Sequence, residues 1–297
     1  MPKEVVVISG KGGTGKTSVV AAFATLAVDK IMTDCDVDAA DLHLILQPKI
    51  LEREMFTGGK TAVVNPELCA ACGKCEELCR FDAVHMTGPP NESVKKTYAI
   101  DPISCEVCGV CVRFCPTEAI AFPDSTDGQW FVSETRAGPM VHGRLAPGQG
   151  SSGIMVSIIR TKAQDIAKEK GHALIISDGS PGIGCPVIAS LTGSDLAVAV
   201  TEPTLSGMHD LQRIAGVARH FGIPVGVVIN KCDLNEDVSA QIEQWAKEFG
   251  AEMLGRIHYD PVVTKAQLAA KSVIEYGDGD VAREIVSIWG RVRSALG

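Results

Sequence analysis

The chain has 297 residues, a formal net charge of -8 and an apolar content of 45%. This length allows one large α/β domain with a smaller one, or two modest domains. The acidic balance argues against a nucleic-acid partner, since such proteins normally present a basic surface. No apolar run reaches the roughly 18 to 20 residues of a membrane span, and "MPKE" leads directly into "VVVIS" without the features of a signal peptide. We therefore expect a cytoplasmic protein.

The first segment predicts a strand, a loop, a helix and a second strand. "EVVVIS" is a short β-branched run bounded by glycine, which is typical of a buried parallel strand. The glycine-rich loop "GKGGTGKTS" follows, and "KTSVVAAFATLAV" predicts a helix. "KIMTDCD" then predicts a strand that ends in acidic residues.

The alternation of strand and helix patterns stops near Gly59, and a cysteine-rich stretch continues to about Phe122. This stretch holds eight of the eleven cysteines and shows little helical periodicity. "VVNPELCAACGKCEELCRFDAVHM" is echoed by "YAIDPISCEVCGVCVRFCPTEAIAF", and each half predicts a strand-like lead, a cysteine run and a strand-like exit. We expect a compact unit of two similar halves, inserted at a surface loop of an α/β domain.

After this unit the sequence again alternates between predicted strands and predicted helices. "WFVSETRAGPMVHGRL" predicts a strand and a loop, and "GIMVSIIRTKAQDIAKEKG" predicts a helix that ends at Gly171. Four further runs each predict an apolar strand before a polar loop: "HALIISDGSPGIG", "DLAVAVTEPT", "PVGVVINKCD" and "EMLGRIHYD". Such repetition predicts a doubly wound, mostly parallel sheet with its ligand site at the carboxyl ends of the strands. The predicted domains are 1–58 together with 128–297, and the insertion 59–127.

Residues 10–17 fit the phosphate-binding pattern G-x-x-x-x-G-K-[ST], between a predicted strand and a predicted helix as the pattern requires. Glycines let successive backbone N–H groups point at phosphate oxygens, and the helix N-terminus adds its positive end. Lys16 is expected to reach the β- and γ-phosphates, and the Thr17 hydroxyl to hold Mg²⁺. The predicted nucleotide-binding residues of this loop are Gly10, Lys11, Gly12, Gly13, Thr14, Gly15, Lys16, Thr17 and Ser18.

The extra lysine of "KGGTGKT", Lys11, makes this loop resemble the deviant Walker A class, the MinD/ParA family that includes the nitrogenase iron protein. The resemblance implies that Lys11 crosses a dimer interface to the partner's phosphates, like an arginine finger. "DCDVDAADLHL" is similar to the family's switch I, which implies that Asp36 positions or activates the attacking water and that Asp34 supports Mg²⁺. "IISDGSPGIG" is similar to its Walker B and switch II segment, which implies that Asp178 binds Mg²⁺. The implied catalytic residues are Lys11, Lys16 and Asp36.

The loops "VTEPT" and "VINKCD" are similar to the family's base-side loops, which implies that Asn230 contacts adenine, with Lys231 beside it. Asn230, Lys231 and Asp233 also match the guanine-reading motif of GTPases. Because this motif commonly accompanies ATP in the deviant Walker class, we expect ATP, with GTP as the alternative.

Both cysteine runs follow C-x2-C-x2-C-x3-C, the bacterial ferredoxin pattern, in which each cluster takes three close cysteines and a fourth from the other run. Cytosolic thiols at such spacing favour metal over disulfides, and thiolates suit zinc as well as iron–sulfur clusters. Two zinc sites or a disulfide ladder are therefore the alternatives. The predicted [4Fe–4S] ligands are Cys69, Cys72, Cys75 and Cys115 for the first cluster, and Cys105, Cys108, Cys111 and Cys79 for the second.

Three cysteines lie outside these runs. Cys35 and Cys232 are expected to be small buried apolar residues. Cys185 lies seven residues after Asp178, and a cysteine at this offset in the nitrogenase iron protein ligates a cluster shared across the dimer. A bridging metal site at Cys185 is therefore a hypothesis, with His142 in the region where that enzyme has its second cysteine.

The chain as a whole is identified as a member of the MinD superfamily of P-loop ATPases, with a doubly wound α/β domain and an inserted small α+β bacterial-ferredoxin-like domain. The resemblance implies ATP, Mg²⁺ and two [4Fe–4S] clusters, a homodimer or a heterodimer with a close relative, and a redox protein partner. We expect nucleotide state to be coupled to electron transfer or to redox-dependent partner binding. A Mrp-like carrier ATPase for metal-cofactor assembly and a redox-sensing positioning ATPase are the alternatives. The last segment, "VAREIVSIWGRVRSALG", is expected to pack on the domain rather than on a membrane surface.

Overall fold

The computed structural model describes residues 2–146 and 151–297. The chain divides into two compact units. The first comprises Met1–Glu54, Trp130–Arg144 and Ser152–Gly297, and the second comprises Met55–Gln129 and Leu145–Ser151. The stretch 59–127, predicted to be an inserted domain, lies inside the second unit.

The described residues form strands and helices that alternate through most of the first unit. The strands are β1 (Lys3–Ser9), β2 (Lys30–Asp34), β3 (Lys49–Lys60), β4 (Val63–Val64), β5 (Val84–Gly88), β6 (Thr97–Ile100), β7 (Ile120–Ala121), β8 (Asp124–Thr135), β9 (Gly138–Leu145), β10 (Leu174–Pro181), β11 (Leu196–Thr201), β12 (Val225–Asn230) and β13 (Glu252–Ile257). The helices are α1 (Lys16–Leu26), α2 (Leu42–Leu46), α3 (Lys74–Leu78), α4 (Val110–Phe114), α5 (Ser152–Lys170), α6 (Cys185–Leu191), α7 (Leu205–His220), α8 (Glu236–Phe249), α9 (Val262–Leu268), α10 (Val273–Tyr276) and α11 (Asp280–Leu296).

Over the described residues, the main sheet has nine strands in the order β13-β12-β11-β1-β10-β2-β9-β8-β3. Every neighbouring pair from β13 to β9 is parallel. The predicted α/β fold with a large, mostly parallel sheet is confirmed. Because parallel strands end at the same edge, the loops after β1, β2, β10, β11 and β12 meet there, and Asp34 and Asp178 are direct register partners.

Helices cover both faces of this sheet. Along β1, Val5 and Val7 pack into one buried cluster, and Val6 and Ile8 pack into another on the opposite face, as the period of two along a strand requires. The last helix, α11, joins the first cluster, where the rings of Trp289 and Phe23 lie 4.9 Å apart. Among helices of the described residues, none is both long enough and apolar enough to cross a bilayer.

The segment predicted as one strand and a loop is instead a pair of strands, β8 and β9, joined at Arg136 and Ala137. The hydroxyl of Thr135 donates to the carbonyl of Gly138 at 2.7 Å and accepts from the backbone N–H of Ala137 at 3.0 Å. Threonine stabilises such turns by bonding to nearby backbone groups. The glycine and proline at the start of β9 concealed the second strand in the sequence.

The second unit repeats itself at an offset of 36 residues. Helix α4 begins 36 residues after α3 begins, and Cys105 follows Cys69 by the same interval. Strand β4 pairs with β7 and β5 pairs with β6, both antiparallel. Each two-stranded ladder therefore takes one strand from each half, and the halves are interleaved.

Left-handed backbone recurs at matching places in the two halves. The pairs are Ala71 (φ 51°) with Val107 (φ 52°), Gly73 (φ 78°) with Gly109 (φ 71°), and Asp82 (φ 51°) with Glu118 (φ 51°). A side chain at such a φ costs about 1–2 kcal/mol, and a β-branched one such as Val107 is uncommon there. The surrounding structure therefore imposes one defined path on both cysteine loops.

Candidate nucleotide and metal-cluster sites

The loop between β1 and α1 takes a path that only glycine fits. Gly13 and Gly15 have φ of 80° and 89°, which glycine adopts without a Cβ clash. A Cβ on Gly15 would also meet Nδ2 of Asn230 at 2.3 Å, and one on Gly10 would meet Cβ of Asp210 at 2.2 Å. The loop is thus held against β12 and α7 at the edge where the strands end.

Lys16 and Asp178 are in direct contact, and both side chains are buried. The ammonium of Lys16 donates to Oδ1 of Asp178. Burial alone would lower the pKa of Lys16, but the nearby carboxylates of Asp178, Asp34 and Asp36 outweigh it and raise that pKa above its usual value. Lys16 therefore carries its charge at the N-terminus of α1, where phosphate binding needs a cation.

Asp34 connects the end of β2 to α2. Its Oδ1 accepts the backbone N–H of Asp36 at 3.1 Å, and its Oδ2 accepts that of Leu42 at 3.3 Å. Burial first, and the charge of Asp178 second, raise the pKa of Asp34 well above its ordinary range. Because both oxygens already accept backbone hydrogen bonds, Asp34 is suited to supporting an ion that Asp178 binds.

Asp36 follows two residues later and is half-buried. Burial, opposed by the charge of Lys16, raises the pKa of Asp36 to about 6. A carboxylate whose pKa lies close to the operating pH is suited to accepting a proton. The position and the pKa both fit the role that its resemblance to switch I implies.

Two buried side-chain oxygens near this loop lack a hydrogen-bond partner among residues 2–146 and 151–297: Oδ2 of Asp178 and Oγ1 of Thr14. Leaving a buried carboxylate oxygen unpaired is costly, and carboxylate and hydroxyl oxygens are the ligands that Mg²⁺ takes. Oδ2 of Asp178 therefore fits a magnesium ion that accompanies a bound nucleotide, and Thr17, which follows Lys16 in the chain, stays the predicted hydroxyl ligand.

Lys11 and Lys231 converge on one carboxylate, that of Glu202. The ammonium of Lys11 lies 3.5 Å from Oε2 of Glu202 and 3.4 Å from Oγ of Ser206. Lys231 contacts Oε1 of Glu202 and donates to the carbonyl of Gly13 at 3.4 Å. Glu202 was not predicted from the sequence, where its only signal is that of an acid in the polar loop after β11.

A cavity of about 190 Å³ opens beside the loop, and Asn230 and Lys231 both line it. Asn230 is fixed there because its Nδ2 donates to the carbonyl of Thr14 at 2.7 Å. Tyr259 lines the cavity as well. Its backbone N–H donates a hydrogen bond to Oδ1 of Asp233 at 2.7 Å. The predicted base-side pair thus lies at a cavity, and Asp233 is engaged by the backbone of the loop after β13.

Four cysteines line each of two small cavities in the second unit. One cavity brings together Cys69, Cys72, Cys75 and Cys115, and the other brings together Cys79, Cys105, Cys108 and Cys111. These groups match the two predicted ligand sets, three from one run and one from the other. All of these cysteines are free thiols rather than disulfide-bonded.

Within the part of the chain that the structure describes, no three His, Cys, Asp or Glu side chains are arranged around a single metal ion. The two cysteine groups have the membership of the predicted ligand sets, and the metal that they would hold stays a prediction.

The remaining cysteines lie apart from these cavities. Cys35 and Cys232 are buried, whereas Cys185 is exposed at the start of α6. His142 is buried on β9, where its Nε2 lies 2.9 Å from Oγ of Ser133. Burial, and to a lesser degree the charge of His43, lower the pKa of His142 to about 4. A bridging metal site at Cys185 stays a hypothesis.

A buried ion pair that was not predicted from the sequence lies next to the two strands that end in Asp34 and Asp178. Nε and Nη2 of Arg160 on α5 donate to the two carboxylate oxygens of Glu4 on β1 at 2.8 and 2.7 Å. Nη1 of Arg160 donates to the carbonyls of Ala189 and Thr192 at 2.6 and 2.7 Å, at the end of α6. Arg160 therefore joins α5, β1 and α6.

This ion pair also reaches the strands that carry Asp34 and Asp178. Oε1 of Glu4 accepts a hydrogen bond from Oγ of Ser177 at 2.8 Å, and Ser177 accepts one from Thr33 at 2.8 Å. Ser177 and Thr33 directly precede the two aspartates in the chain. The network therefore fixes β10 and β2 just where the two carboxylates emerge.

The sequence profile of the CobQ/CobB/MinD/ParA nucleotide-binding domain family (CbiA) matches residues 5–273. The chain belongs to this family. The chain is also similar to two proteins of the archaeon Methanocaldococcus jannaschii. MJ0578 is 34% identical over 241 residues, covering 78% of this chain and 79% of its own length, and MJ0579 is 25% identical over 300 residues, covering 96% and 98%.

Solved structures of the MinD/ParA family share the fold. The septum site-determining protein MinD of Pyrococcus horikoshii, complexed with Mg-ADP, aligns over 100% of this chain and 98% of its own with a TM-score of 0.58 and 16% identity. MinD of Aquifex aeolicus aligns over 98% and 97% with a TM-score of 0.57 and 15% identity. At these identities the likeness shows that the MinD/ParA fold is shared.

Proposed function

We propose that this MinD/ParA-family protein binds and hydrolyses ATP with Mg²⁺ and holds two [4Fe–4S] clusters, so that nucleotide state is coupled to electron transfer or to redox-dependent partner binding. The observation that carries the nucleotide half is the buried contact of Lys16 with Asp178 at the N-terminus of α1. The observation that carries the cluster half is the gathering of four cysteines around each of two cavities.

The nucleotide site has the parts that phosphoryl transfer needs. Bound Mg²⁺ would act as a Lewis acid on the phosphate oxygens, held by Asp178 and Thr17. Lys16 exchanges its carboxylate partner for the β- and γ-phosphates. Asp36, with a pKa of about 6, orients the attacking water and accepts its proton. The glycine-rich loop supplies backbone N–H groups to the phosphates.

ATP is the proposed nucleotide rather than GTP. Reading guanine through this motif requires the carboxylate of Asp233 to face the base. Here that carboxylate accepts the backbone N–H of Tyr259 instead, while Asn230 and Lys231 line the cavity. The MinD structure of P. horikoshii contains Mg-ADP, which supports the same choice.

The proposed active form is a dimer of two copies, or of this chain with a close relative. In the single chain Lys11 is paired with Glu202 rather than placed over its own phosphate loop, and in the dimer it would exchange this carboxylate for a partner's phosphates. MJ0578 and MJ0579 occur together in one organism, which supports pairing between relatives as well as self-pairing.

The order of elements along the chain supports coupling between the two functions. Asp34 bonds to the first residue of α2, the last helix before the strand β3 in which the second unit begins. The chain returns through β8, β9 and α5 to β10, which carries Asp178. Along the chain, the cysteine unit is therefore inserted between Asp34 and Asp178, the two carboxylates that are proposed to serve Mg²⁺. A shift of either carboxylate on nucleotide binding would displace a segment that leads into or out of this unit.

The test uses the full chain, purified or reconstituted without oxygen. ATP hydrolysis is measured with the clusters oxidised and reduced, and the cluster potentials are measured by EPR with and without a non-hydrolysable ATP analogue. Coupling predicts that each measurement responds to the other variable, and that both responses disappear in Lys16→Ala.

Each half of the proposal also has its own point of failure. A chain that takes up no iron contradicts the cluster half, and one that hydrolyses no ATP contradicts the ATPase half. If both activities are present but neither responds to the other, coupling is wrong. A carrier role in cofactor assembly would then be tested by transfer of iron to an apo-ferredoxin.

A further inference from the structure

The two cysteine cavities differ at a residue that faces an equivalent ligand in each. Cys115 and Cys79 are the ligands that cross between the halves, and they lie 36 residues apart. Two residues after Cys115 comes Thr117, which lines the first cavity. Two residues after Cys79 comes Phe81, which lines the second. One position of the repeat therefore carries a hydroxyl in one half and an aromatic ring in the other.

The hydroxyl contacts the ligand sulfur. Oγ1 of Thr117 lies 3.7 Å from Sγ of Cys115, within hydrogen-bond distance for sulfur, and the backbone N–H of Ala119 donates to the same sulfur at 3.3 Å. Sγ of Cys79 accepts no hydrogen bond from any residue in 2–146 or 151–297, although Ala83 stands in the place of Ala119. The phenyl ring of Phe81 has no hydrogen to donate.

Hydrogen bonds to ligand sulfur stabilise the more negative, reduced state of an iron–sulfur cluster and so raise its reduction potential. On the basis of the proposed function, we propose that the cluster on Cys69, Cys72, Cys75 and Cys115 has the more positive potential of the two, with the Thr117 hydroxyl as a cause. A single electron on the unit then resides on this first cluster, and the second cluster is reduced only afterwards.

Charges beside the ligands act in the opposite direction. Glu76 follows Cys75 at the first cavity, and Arg80 follows Cys79 at the second. Both charged side chains are exposed, so water and salt screen them over about 8 Å at physiological ionic strength. The Glu76 carboxylate also accepts the hydroxyl of Tyr98 at 3.0 Å, which offsets part of its charge. The two hydrogen bonds act directly on the ligand sulfur, at 3.3 and 3.7 Å, and this proximity lets them set the order of the potentials.

The test is an EPR-monitored redox titration of the full chain with its clusters reconstituted anaerobically. Wild type is expected to show two separate one-electron steps. Thr117→Val keeps the side-chain shape but removes the hydroxyl, and it should shift the more positive step to lower potential while the other stays in place. Phe81→Thr adds the hydroxyl at the second cavity, and it should shift the more negative step upward.

Thr87→Val is the matched control. Thr87 is exposed on β5 of the same unit and lines neither cysteine cavity, so both steps should remain unchanged. The proposal is overturned if wild type shows one unresolved step, if Thr117→Val leaves both steps in place, or if it moves the more negative one.

Iron and acid-labile sulfide are measured on every sample. If the chain takes up neither, the cluster half of the proposed function fails together with this inference. If the content matches two four-iron clusters but the potentials do not respond to position 117 or 81, only this inference fails. Should Thr117→Val lose its clusters, Phe81→Thr still decides the question.

Discussion

The ammonium of Lys16 is bonded to Oδ1 of Asp178, and the two side chains are only 7% and 1% exposed. In this state the lysine that should bind phosphate is neutralised by the carboxylate that should bind Mg²⁺. We therefore expect nucleotide and Mg²⁺ to bind cooperatively, because phosphate would release Asp178 and Mg²⁺ would occupy it. The unpaired Oδ2 of Asp178 is available to the ion before this exchange.

Asp178→Asn should separate the binding of ATP from the binding of Mg²⁺. Without Mg²⁺, the variant is expected to bind ATP more tightly than wild type, because Lys16 no longer has a competing carboxylate. With Mg²⁺, the gain in affinity that wild type shows should disappear. Calorimetric titration with ATP in EDTA and in Mg²⁺ measures both. Lys16→Met, the control, should lose about 10- to 100-fold in affinity under both conditions. Weaker binding by Asp178→Asn in EDTA would contradict the exchange.

Glu202→Gln should release Lys11. Glu202 holds Lys11 at 3.5 Å and also contacts Lys231, and it is 13% exposed. Removing its charge frees both lysines for phosphates, so the ATP-dependent dimer should form at a lower protein concentration. Sedimentation with a non-hydrolysable analogue measures this, with the exposed Glu236→Gln as control. A weaker dimer would mean that Glu202 helps to build the interface rather than restraining Lys11.

Arg160→Met should destabilise the first unit by about 3–5 kcal/mol, because it leaves the buried carboxylate of Glu4 without its partner. Urea unfolding measures the loss. Combining it with Glu4→Gln should recover part of that loss, since the unpaired charge is then gone. Lys3→Ala breaks the more exposed pair with Asp195 and should cost less than about 1 kcal/mol. Equal costs for Arg160→Met and Lys3→Ala would show that the buried network contributes little.

The stability that the neutral His142 contributes should decrease as the pH falls from 6.5 to 4, whereas the raised pKa values of Asp34 and Asp36 act in the opposite direction. Burial lowers the pKa of His142 from 6.5 to about 4, so over this range the unfolded chain binds a proton that the folded chain does not. The contribution is present above pH 6.5 and decreases on acidification, by up to about 3 kcal/mol. Urea unfolding at several pH values should show that wild type loses stability relative to His142→Gln as the pH falls through this range, because the two proteins share every other titrating group. The exposed His209→Gln should follow wild type, and identical slopes for all three would contradict the assignment.

Local patterns predicted the elements that depend on neighbouring residues. The glycine spacing of residues 10–17 and the apolar runs of the strands determine structure over a few residues, so the parallel sheet and the phosphate loop could be anticipated. The grouping of the eight cysteines around two cavities also matches the predicted sets, because the two runs share one backbone path.

Contacts between distant parts of the chain could not be anticipated. Glu4 and Arg160 are 156 residues apart, and no spacing rule connects an acid at the start of a strand with an arginine in a later helix. The role of Glu202 could not be predicted for the same reason, because it depends on contacts with Lys11 and Lys231 from two other loops. The second strand of the β8–β9 pair was missed for another reason, since a glycine and a proline at its start outweighed its apolar residues Met140, Val141 and Leu145.

The offset of 36 residues has a consequence for experiments on the second unit. Residues 69–82 and 105–118 align without insertion or deletion, and they share even the left-handed backbone of Ala71 and Val107. The unit has the form of an internal duplication whose frame has been kept while its side chains diverged. Each position from 69 to 82 therefore has a counterpart 36 residues later, on a similar backbone path but beside a different cavity. Exchanging such paired residues, one at a time or as whole loops, would show which properties of a cavity depend on its side chains rather than on its backbone.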